Sequence, residues 1–280
     1  MTDLPTIELL GVRFHNLSRE QAAREIAHLA TGSGKHYVVK PYSEFMPRAV
    51  HDPRIRTVLN GASLCLADGI GILWAAHYLS LPGGRLRALL QLPLSLASLP
   101  LNPRGIRDPI AENMAGVDLT WLMLEQLELA GASVFLLGGT EQELLAAHHR
   151  IAERLPGLRI AGARNGHFDK RGDENQRVID QINAAQPHAL IVGMGFPLQE
   201  TWIADNLPNL DIHVAVAEGG SFSFISGATR RAPAWMRRIG FEWLFRLVRQ
   251  PARLRRQTAL PLFVWLVLRE RLGIPRHPRA

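Results

Sequence analysis

The stretch Ala189-Leu-Ile-Val-Gly-Met-Gly-Phe-Pro-Leu-Gln-Glu200 contains the pattern that decides the fold. Its first four residues are continuously apolar, which is typical of a strand buried on both faces of a parallel sheet. Gly193 and Gly195 then form a turn in which the backbone can closely approach a ligand. The segment therefore predicts a buried strand with a ligand-binding turn at its carboxyl end.

Short apolar runs bounded by Gly or Pro recur along the chain, and helical stretches separate most of them. The runs are His36–Val39, Ser63–Leu66, Val134–Leu137, Leu158–Ala161, Ala189–Val192 and Val214–Ala217. The helical stretches include Val117–Ala130, Glu141–Leu155 and Glu174–Ala184. This alternation predicts an α/β fold, a Rossmann-like, mostly parallel sheet with helices on both faces.

Two segments, residues 79–109 and the tail from Thr229, depart from the alternation, and the amino-terminal part has its own pattern. Ile7 to Phe14 predicts an edge strand or hairpin, and Ser18-Arg-Glu-Gln21 is a capping box that predicts a helix running to about Ala30. Residues 79–109 hold five prolines around an apolar stretch and predict a Pro-kinked loop or a short helix pair. This insert is equally well explained as a membrane-touching element behind Arg85 and Arg87 or as a plain surface insertion.

The charge of the chain is unevenly distributed. The 280 residues have a formal net charge of +7, but residues 229–280 hold 13 Arg, no Lys and two acids, which gives +11. Residues 1–228 therefore carry −4. We predict an α/β domain over residues 1–228 and a basic, amphipathic helical appendage over residues 229–280. The basic appendage indicates a polyanionic partner, either nucleic acid or an anionic membrane surface.

Composition excludes several classes of protein. The single cysteine, Cys65, excludes an internal disulfide framework and a Cys-based zinc cluster, and it favours a reducing compartment. The acidic amino terminus lacks a signal-peptide pattern, so export is not expected. The apolar run Ala259–Leu268 would be about 15 Å long as a helix, half of the roughly 30 Å bilayer core. It is too short to cross a membrane alone.

Four glycine-containing turns follow predicted strands and would share one rim of the sheet. One such turn is usually only a tight turn, but four together favour a nucleotide-type ligand, because the following helix N-termini offer N–H groups to phosphate. The turns are Asp68-Gly69-Ile70-Gly71, Gly138-Gly139-Thr140, Gly193-Met194-Gly195 with Gln199 and Glu200, and Glu218-Gly219-Gly220-Ser221.

Asp68 is the leading candidate for a reactive group. Its carboxylate follows a buried strand, where partial desolvation would raise its basicity. A role as the N-cap of a helix beginning at Ile70 explains this position equally well. Gln199 and Glu200 share the ambiguity, whereas His167 is better explained as a loop residue than as a catalytic base.

Motifs of several other classes are absent. The fingerprint G-x-G-x-x-G, a Walker A sequence, an Asp-x-Asp triplet and His or acid clusters with metal-ligand spacing do not occur. The sequence therefore disfavours an NTPase and predicts neither a metal nor a cofactor.

Six segments nevertheless occur in one specific order. They are Asp68-Gly-Ile-Gly71, Val134-Phe-Leu-Leu-Gly-Gly139, Asn165-Gly-His-Phe168, Gly193 to Glu200, Gly219-Gly220 and the run from Arg231 to Arg253. In these segments and their order, the chain resembles the WecG/TagA/CpsF glycosyltransferases over roughly residues 7 to 270.

The resemblance implies an inverting, metal-independent transferase. It would move a hexose or N-acetylhexosamine-type sugar from a UDP-sugar to a polyprenyl-diphosphate-linked saccharide, at the cytoplasmic face of the plasma membrane, during bacterial surface polysaccharide biosynthesis. Asp68 would be the catalytic base toward the acceptor hydroxyl, and an Arg would stabilise the leaving UDP. The implied substrate-binding residues are Lys40, Glu44, Gly69, Gly138, Gly139, Gly193, Gly195, Gln199, Glu200, Gly219 and Gly220.

Two positions depart from the family pattern. Members commonly have Thr-x-Asn-x-Glu where this chain has Lys40-Pro-Tyr-Ser-Glu44, so only Glu44 is retained and Lys40 becomes a candidate phosphate contact. Asn113 replaces an Arg of many members. The cation for the leaving group would then be Arg107, Lys40 or an Arg of the appendage.

The appendage has the pattern of an interfacial helix. Four arginines fall within about an 80° arc of a helical wheel, opposite Trp243, Leu244, Leu247 and Leu254. Trp235, Trp243 and Trp265 would anchor it at the interface. The alternative is a helix whose apolar side packs on the body. The candidate membrane or diphosphate contacts are Arg230, Arg231, Arg237, Arg238, Arg246, Arg249, Arg253 and Arg256.

Two other classes remain open. A nucleic-acid-binding protein would explain the charge but not the glycine turns, and a nicotinamide-dependent oxidoreductase would explain the turns but not the missing fingerprint. We expect the UDP-sugar, the lipid-linked acceptor and an anionic membrane as partners, and no nucleic acid. A homo-oligomer and the identity of the donor sugar are left open.

Overall fold

The computed structural model describes residues 4–110, 112–114, 116–233, 236, 242–249 and 254–274. An antiparallel hairpin of β1 (Thr6–Leu9) and β2 (Val12–His15) opens it. Helix α1 (Arg19–Thr31) follows, and the Ser18 side chain accepts a hydrogen bond from the Gln21 amide in a reciprocal capping box. The predicted hairpin and helix start are confirmed.

Six strands form one parallel sheet in the order β4-β3-β8-β7-β5-β6. This topology confirms the predicted Rossmann-like sheet. One run is displaced from its predicted position, because Leu158 still belongs to a turn in which its amide donates to the Leu155 carbonyl. The strands are β3 (His36–Val39), β4 (Leu64–Cys65), β5 (Val134–Gly138), β6 (Ile160–Arg164), β7 (Ala189–Gly193) and β8 (Val214–Ala217).

Helices cover both faces of the sheet. The first six after α1 are α2 (Met46–His51), α3 (Pro53–Asn60), α4 (Ile70–Ser80), α5 (Arg85–Leu101), α6 (Val117–Leu129) and α7 (Glu141–Arg154). Further helices within the described residues are α8 (Gly172–Ala185), α9 (Leu198–Asn206), α10 (Ser221–Ile225), α11 (Glu242–Arg249), α12 (Leu254–Gln257) and α13 (Ala259–Arg271).

The core lies on both sides of the sheet. In β5, Phe135 and Leu137 join one buried cluster, while Val134 and Leu136 join the other. Successive side chains of a strand point to opposite faces, so a strand covered on both sides must be apolar throughout. This explains why the predicted strands lack polar alternation.

The insert forms one helix, α5, with Pro93 and Pro100 inside it. The predicted kinked loop or helix pair is therefore wrong. Both prolines are exposed, so the carbonyls that lose an N–H partner can be hydrated. The Trp74 indole N–H of α4 donates to Ser95 Oγ at 3.2 Å, which ties α5 to the body.

In the described part of the C-terminal appendage, α11, α12 and α13 confirm the predicted helical character, and α13 packs on the body. Phe263, Leu266 and Val267 of α13 are buried in the same cluster as Trp74 and Tyr78. For α13, the structure agrees with the alternative in which the apolar side packs inward. The division of the chain near residue 229 stays a prediction. Within the described residues, no helix combines the length and apolar character needed to span a bilayer.

Candidate active site at the carboxyl edge of the sheet

The predicted site residues of the α/β domain follow the carboxyl ends of the parallel strands. Since these ends meet at one edge, the turns form a row in the order of the strands. The row runs through Asp68-Gly69 after β4, Lys40 to Glu44 after β3, Glu218 to Gly220 after β8, Met194-Gly195 after β7, Gly139 after β5 and Asn165 to His167 after β6.

A topological switch point lies between β5 and β7. From β5 the chain continues to β6 on one side, and from β7 it continues to β8 on the other. In open α/β sheets, ligands bind in the crevice at such a point. The predicted glycine turns 138–139 and 193–195 flank this crevice.

The glycines at the switch point have two different roles. Gly138 and Gly193 are register partners, and a Cβ on Gly138 would collide with the Gly193 carbonyl. Gly138 has φ +139°, a conformation that L side chains rarely adopt. By contrast, no atom lies within 4 Å of a Cβ built on Gly195 or Gly220. Gly138 and Gly193 thus permit strand packing, whereas Gly195 and Gly220 border open space.

Two contacts hold the Asp68-Gly69 turn. The Asp68 amide donates to the Pro41 carbonyl at 3.2 Å, and the Gly69 amide donates to Asn113 Oδ1 at 2.7 Å. Asp68 is half-buried, and the N-cap of α4 is Gly69, without a side-chain hydrogen bond. The alternative interpretation of Asp68 as the N-cap of this helix is therefore wrong.

A buried ion pair lies next to this turn. Lys40 Nζ is 2.7 Å from Glu218 Oε2, and the two side chains are 5% and 1% exposed. The same carboxylate oxygen accepts hydrogen bonds from Thr120 Oγ1 at 2.6 Å and from Ser221 Oγ at 2.7 Å. The Lys40 charge is thus compensated by Glu218 beneath the edge.

Gln199 links the turns after β7 and β8. Its Oε1 accepts hydrogen bonds from the amides of Met194 at 3.2 Å, Gly195 at 3.0 Å and Gly219 at 3.0 Å. Its Nε2 donates to Glu200 Oε1 at 2.9 Å. One buried amide side chain therefore fixes the spacing of the two glycine turns.

Glu200 is a buried carboxyl group with little compensation. Burial raises its pKa to about 7, against the smaller opposing effect of the Gln199 hydrogen bond. Its Oε2 and the Oε1 of Glu218 are buried without hydrogen-bond partners. Glu200 therefore lies behind the glycine turns, where it contacts Gln199. Its side chain is not exposed, and its predicted contact with substrate stays a prediction.

Glu44 and His167 are the remaining side chains singled out from the sequence. Glu44 is half-buried in the loop after β3. His167 is exposed, and its amide donates to Asn165 Oδ1 at 3.0 Å, which fits its interpretation as a loop residue.

The arginines of the appendage do not share one environment. Arg230 and Arg249 are exposed, and the Arg249 guanidinium lies 5.3 Å from the Phe245 ring centroid. Arg231 forms a two-point ion pair with Asp118, in which Nη2 lies 2.9 Å from Oδ2. Arg237, Arg238 and Arg253 lie outside the described residues, as do the side chains of Arg246 and Arg256. Their roles toward membrane or diphosphate stay predictions.

Thr120, Ser221 and Asn113 have supporting roles that the sequence did not reveal. Thr120 lies in a mostly apolar helical stretch. A hydroxyl group at a buried position is the only feature of the sequence that could have indicated its role. Asn113 departs from the family pattern, but its hydrogen bond with the Gly69 amide joins residues 44 positions apart. Among the described residues, no group of three His, Cys, Asp or Glu side chains could hold a metal ion.

The comparison with known proteins decides the family. The sequence profile of the Glycosyl transferase WecG/TagA/CpsF family matches residues 7–107 and 93–277. The chain belongs to the WecG/TagA/CpsF glycosyltransferase family. The predicted family resemblance is therefore confirmed.

Named relatives of this WecG/TagA/CpsF family member are aligned over most of their length. An N-acetylglucosaminyldiphosphoundecaprenol N-acetyl-beta-D-mannosaminyltransferase of Staphylococcus aureus (strain MW2) is 26% identical over 272 residues, 96% of this chain and 95% of the relative. A protein of the same name from Bacillus spizizenii is 29% identical over 242 residues, 86% of this chain and 82% of the relative.

Proposed function

We propose that the protein is an inverting, metal-independent glycosyltransferase that moves a hexose or N-acetylhexosamine-type sugar from a UDP-sugar to a polyprenyl-diphosphate-linked saccharide. The observation that carries this proposal is that the Asp68 turn and the β5/β7 crevice lie on the same edge of the sheet. The names of the relatives support a lipid-linked acceptor and an N-acetylhexosamine donor. The process would be bacterial surface polysaccharide biosynthesis.

The β5/β7 crevice is the site we assign to the nucleotide. Helices α7 and α9 begin directly after β5 and β7, so their positive N-terminal ends face the same edge. The open space at Gly195 and Gly220 gives a ligand access to backbone atoms. Gln199 would keep these two turns at the spacing that the ligand requires.

Asp68 is the residue we assign as the catalytic base. A half-buried carboxylate at the edge can reach the acceptor while being incompletely hydrated. It would take the proton from the acceptor hydroxyl as that oxygen attacks the anomeric carbon. The C–O bond to UDP breaks on the opposite side, so the configuration inverts. Asn113 and Pro41 would position this base through the backbone of its turn.

The charge on the leaving UDP requires cations other than Lys40. Glu218 already compensates Lys40, so this pair adds little net charge to the site. We assign the role to the exposed Arg107 and to arginines of the appendage, together with the N-terminal ends of the helices.

The basic appendage is the element we assign to the anionic membrane surface. Its charge of +11 complements the anionic cytoplasmic leaflet, where a polyprenyl-linked acceptor would be presented. Removing residues 229–280 is a poor test, because it also removes the buried residues of α13. Charge reversal of the exposed Arg230 and Arg249 leaves the core intact and should weaken binding to anionic vesicles.

The proposed function is tested by a donor screen. A panel of UDP-sugars is incubated with a synthetic prenyl-diphosphate N-acetylglucosamine, with and without a chelator, and the products are identified by mass spectrometry and anomeric NMR. We expect one UDP-N-acetylhexosamine or UDP-hexose to be transferred with inversion in the presence of chelator. Loss of transfer that magnesium restores would contradict metal independence. NAD serves as the ligand control, and thermal stabilisation by NAD instead of UDP would favour the oxidoreductase.

A further inference from the structure

Helix α5 has an unusual distribution of side chains between its two faces. Its outward face is apolar, with five leucines at 48% exposure or more, and the prolines and Ala97 between them are also exposed. The exposed leucines are Leu86 at 73%, Leu89 at 48%, Leu90 at 64%, Leu94 at 71% and Leu101 at 82%. At 100° per residue this face covers an arc of about 140°.

The inward face of α5 holds its serine and glutamine side chains, beside Leu92, Leu96 and Leu99, which pack against the core. Ser95 accepts from the Trp74 indole, the Ala88 carbonyl accepts from the Tyr78 hydroxyl at 2.8 Å, and Gln91 accepts from the Arg271 guanidinium. A helix at the surface of a water-soluble domain normally has the reverse arrangement. The apolar outer face is therefore not needed to attach α5 to the body, and contiguous exposed apolar surface usually marks an interaction site.

The charged side chains within residues 83–107 have one sign, and the exposed Asp108 follows directly after them. Residues 83–107 contain no Asp or Glu. Arg85 and Arg87 are exposed at the start of the helix, and Arg104 is exposed just beyond its end. An apolar strip with cations at both ends matches an acyl layer bordered by anionic headgroups.

The neighbouring helix α13 adds an amphipathic anchor. Its outward stripe includes Leu262 and Trp265, 38% and 48% exposed, whereas Phe263, Leu266 and Val267 are buried on the side that contacts α2, α4 and α5. The Arg269 guanidinium lies 4.6 Å from the Trp265 ring centroid. Trp and Arg side chains of this kind are favoured at a membrane interface.

We propose that the outer face of α5 is a membrane-docking surface that inserts its leucines into the headgroup and acyl boundary of an anionic bilayer. This surface is additional to the basic appendage, and the choice of a bilayer as the occupant rests on the proposed action on a lipid-linked acceptor. A second copy of the chain fits less well. Pairing two α5 helices in either direction would bring arginines against arginines, because both ends are cationic.

Insertion is tested with a fluorescent label on the full chain. Cys65 is buried, so Leu90→Cys gives a single reactive thiol for an environment-sensitive maleimide. On adding mixed phosphatidylcholine and phosphatidylglycerol vesicles, we expect the emission to increase and shift to the blue. Leu129→Cys is the matched control, since Leu129 is 78% exposed on α6, and its label should not respond.

A second variant tests the energetic contribution. Leu86→Ser, Leu90→Ser and Leu94→Ser together should lower the vesicle-bound fraction at least about tenfold, because each exposed leucine loses its transfer into lipid. The matched control is Leu129→Ser with Leu145→Ser, both exposed elsewhere, which should bind like the wild type. Circular dichroism and thermal unfolding of both variants should match the wild type, since the replaced side chains are exposed.

Three outcomes would overturn the inference. If the protein cosediments with vesicles while the label at residue 90 stays in water, the appendage binds and α5 does not, and the proposed function is unaffected. If the protein does not bind vesicles at all, α5 is no docking surface. If light scattering shows a lipid-free dimer that the triple variant dissociates, a second copy covers the leucines. These experiments measure vesicle binding and not sugar transfer. A failure of the proposed function would appear in the donor screen, and a failure of α5 docking would appear only in the vesicle experiments.

Discussion

Lys40 and Glu218 form an ion pair whose nitrogen and oxygen atoms are 2.7 Å apart, beneath the carboxyl edge of the sheet. Both side chains are almost completely removed from solvent, and Thr120 and Ser221 add hydrogen bonds to the same carboxylate oxygen. Removing one partner of such a pair leaves an uncompensated buried charge. The resulting loss of folding stability is larger than the stability that the intact pair provides. The pair thus joins the turn after β3 to the turn after β8.

The first prediction concerns this pair. Lys40→Met should lower the free energy of unfolding by about 3–5 kcal/mol at neutral pH, because Glu218 loses its countercharge. Urea unfolding measures the change. Combining Lys40→Met with Glu218→Gln should recover more than half of the loss, since no charge then remains buried. A Lys40→Met variant within about 1 kcal/mol of the wild type would show that the pair is not buried in solution.

The second prediction concerns the pH dependence caused by Glu200. Its pKa is raised from 4.5 to about 7 by burial, so the folded protein holds this proton more firmly than the unfolded chain. The free energy of unfolding should therefore fall as the pH rises from about 4.5 through 7, by about 3 kcal/mol in total.

Glu200→Gln removes this titration and is the control. The difference in unfolding free energy between wild type and Glu200→Gln, measured with urea at pH 5 and pH 8, should change in favour of the variant. A constant difference across this range would contradict the raised pKa of Glu200.

The third prediction concerns the position of Asp68. Asn113→Ala removes the acceptor of the Gly69 amide, so kcat should fall about tenfold or more while the Kd for UDP changes little. Asn113→Asp keeps an acceptor at the same place and should recover most of kcat. Equal loss in both variants, or a loss confined to UDP binding, would show that Asn113 does not position this turn.

The fourth prediction concerns strand packing at the switch point. Gly138→Ala should destabilise the fold by about 3 kcal/mol or more, because the methyl group meets the Gly193 backbone as well as an unfavourable φ. Gly131→Ala is the matched control: Gly131 has φ +67° but open space around its Cβ, so only the cost of about 1 kcal/mol for the conformation is expected. Thermal unfolding of both variants separates the two effects. Equal destabilisation would show that contact with Gly193 is unimportant.

The sheet and its rim of turns could be predicted from the sequence because their signals are local. Buried parallel strands such as Val134–Gly138 require continuous apolar runs, and the turns that end them require Gly. The position of Asp68 at the rim follows from the same local pattern. These features depend on a few consecutive residues, so no long-range contact had to be known.

Other features depend on contacts between distant residues and could not be read from the sequence. Lys40 looked available for a phosphate because nothing near it in sequence reveals Glu218. The prolines of residues 79–109 predicted a broken segment, but contacts of α5 with Trp74 and Tyr78 hold one continuous helix. The apolar run before Arg269 matched both a membrane anchor and a packed helix, and the burial of Phe263, Leu266 and Val267 shows that one side of it packs on the body.

Asp68 is the proposed base of sugar transfer at this edge, and a paired measurement on Asp68→Asn tests this role. The rate of transfer from the accepted UDP-sugar to a synthetic prenyl-diphosphate N-acetylglucosamine is compared with UDP affinity from calorimetry. We expect transfer by this variant to fall about a hundredfold or more, with UDP affinity within about threefold of the wild type. Near-normal transfer by Asp68→Asn would contradict it.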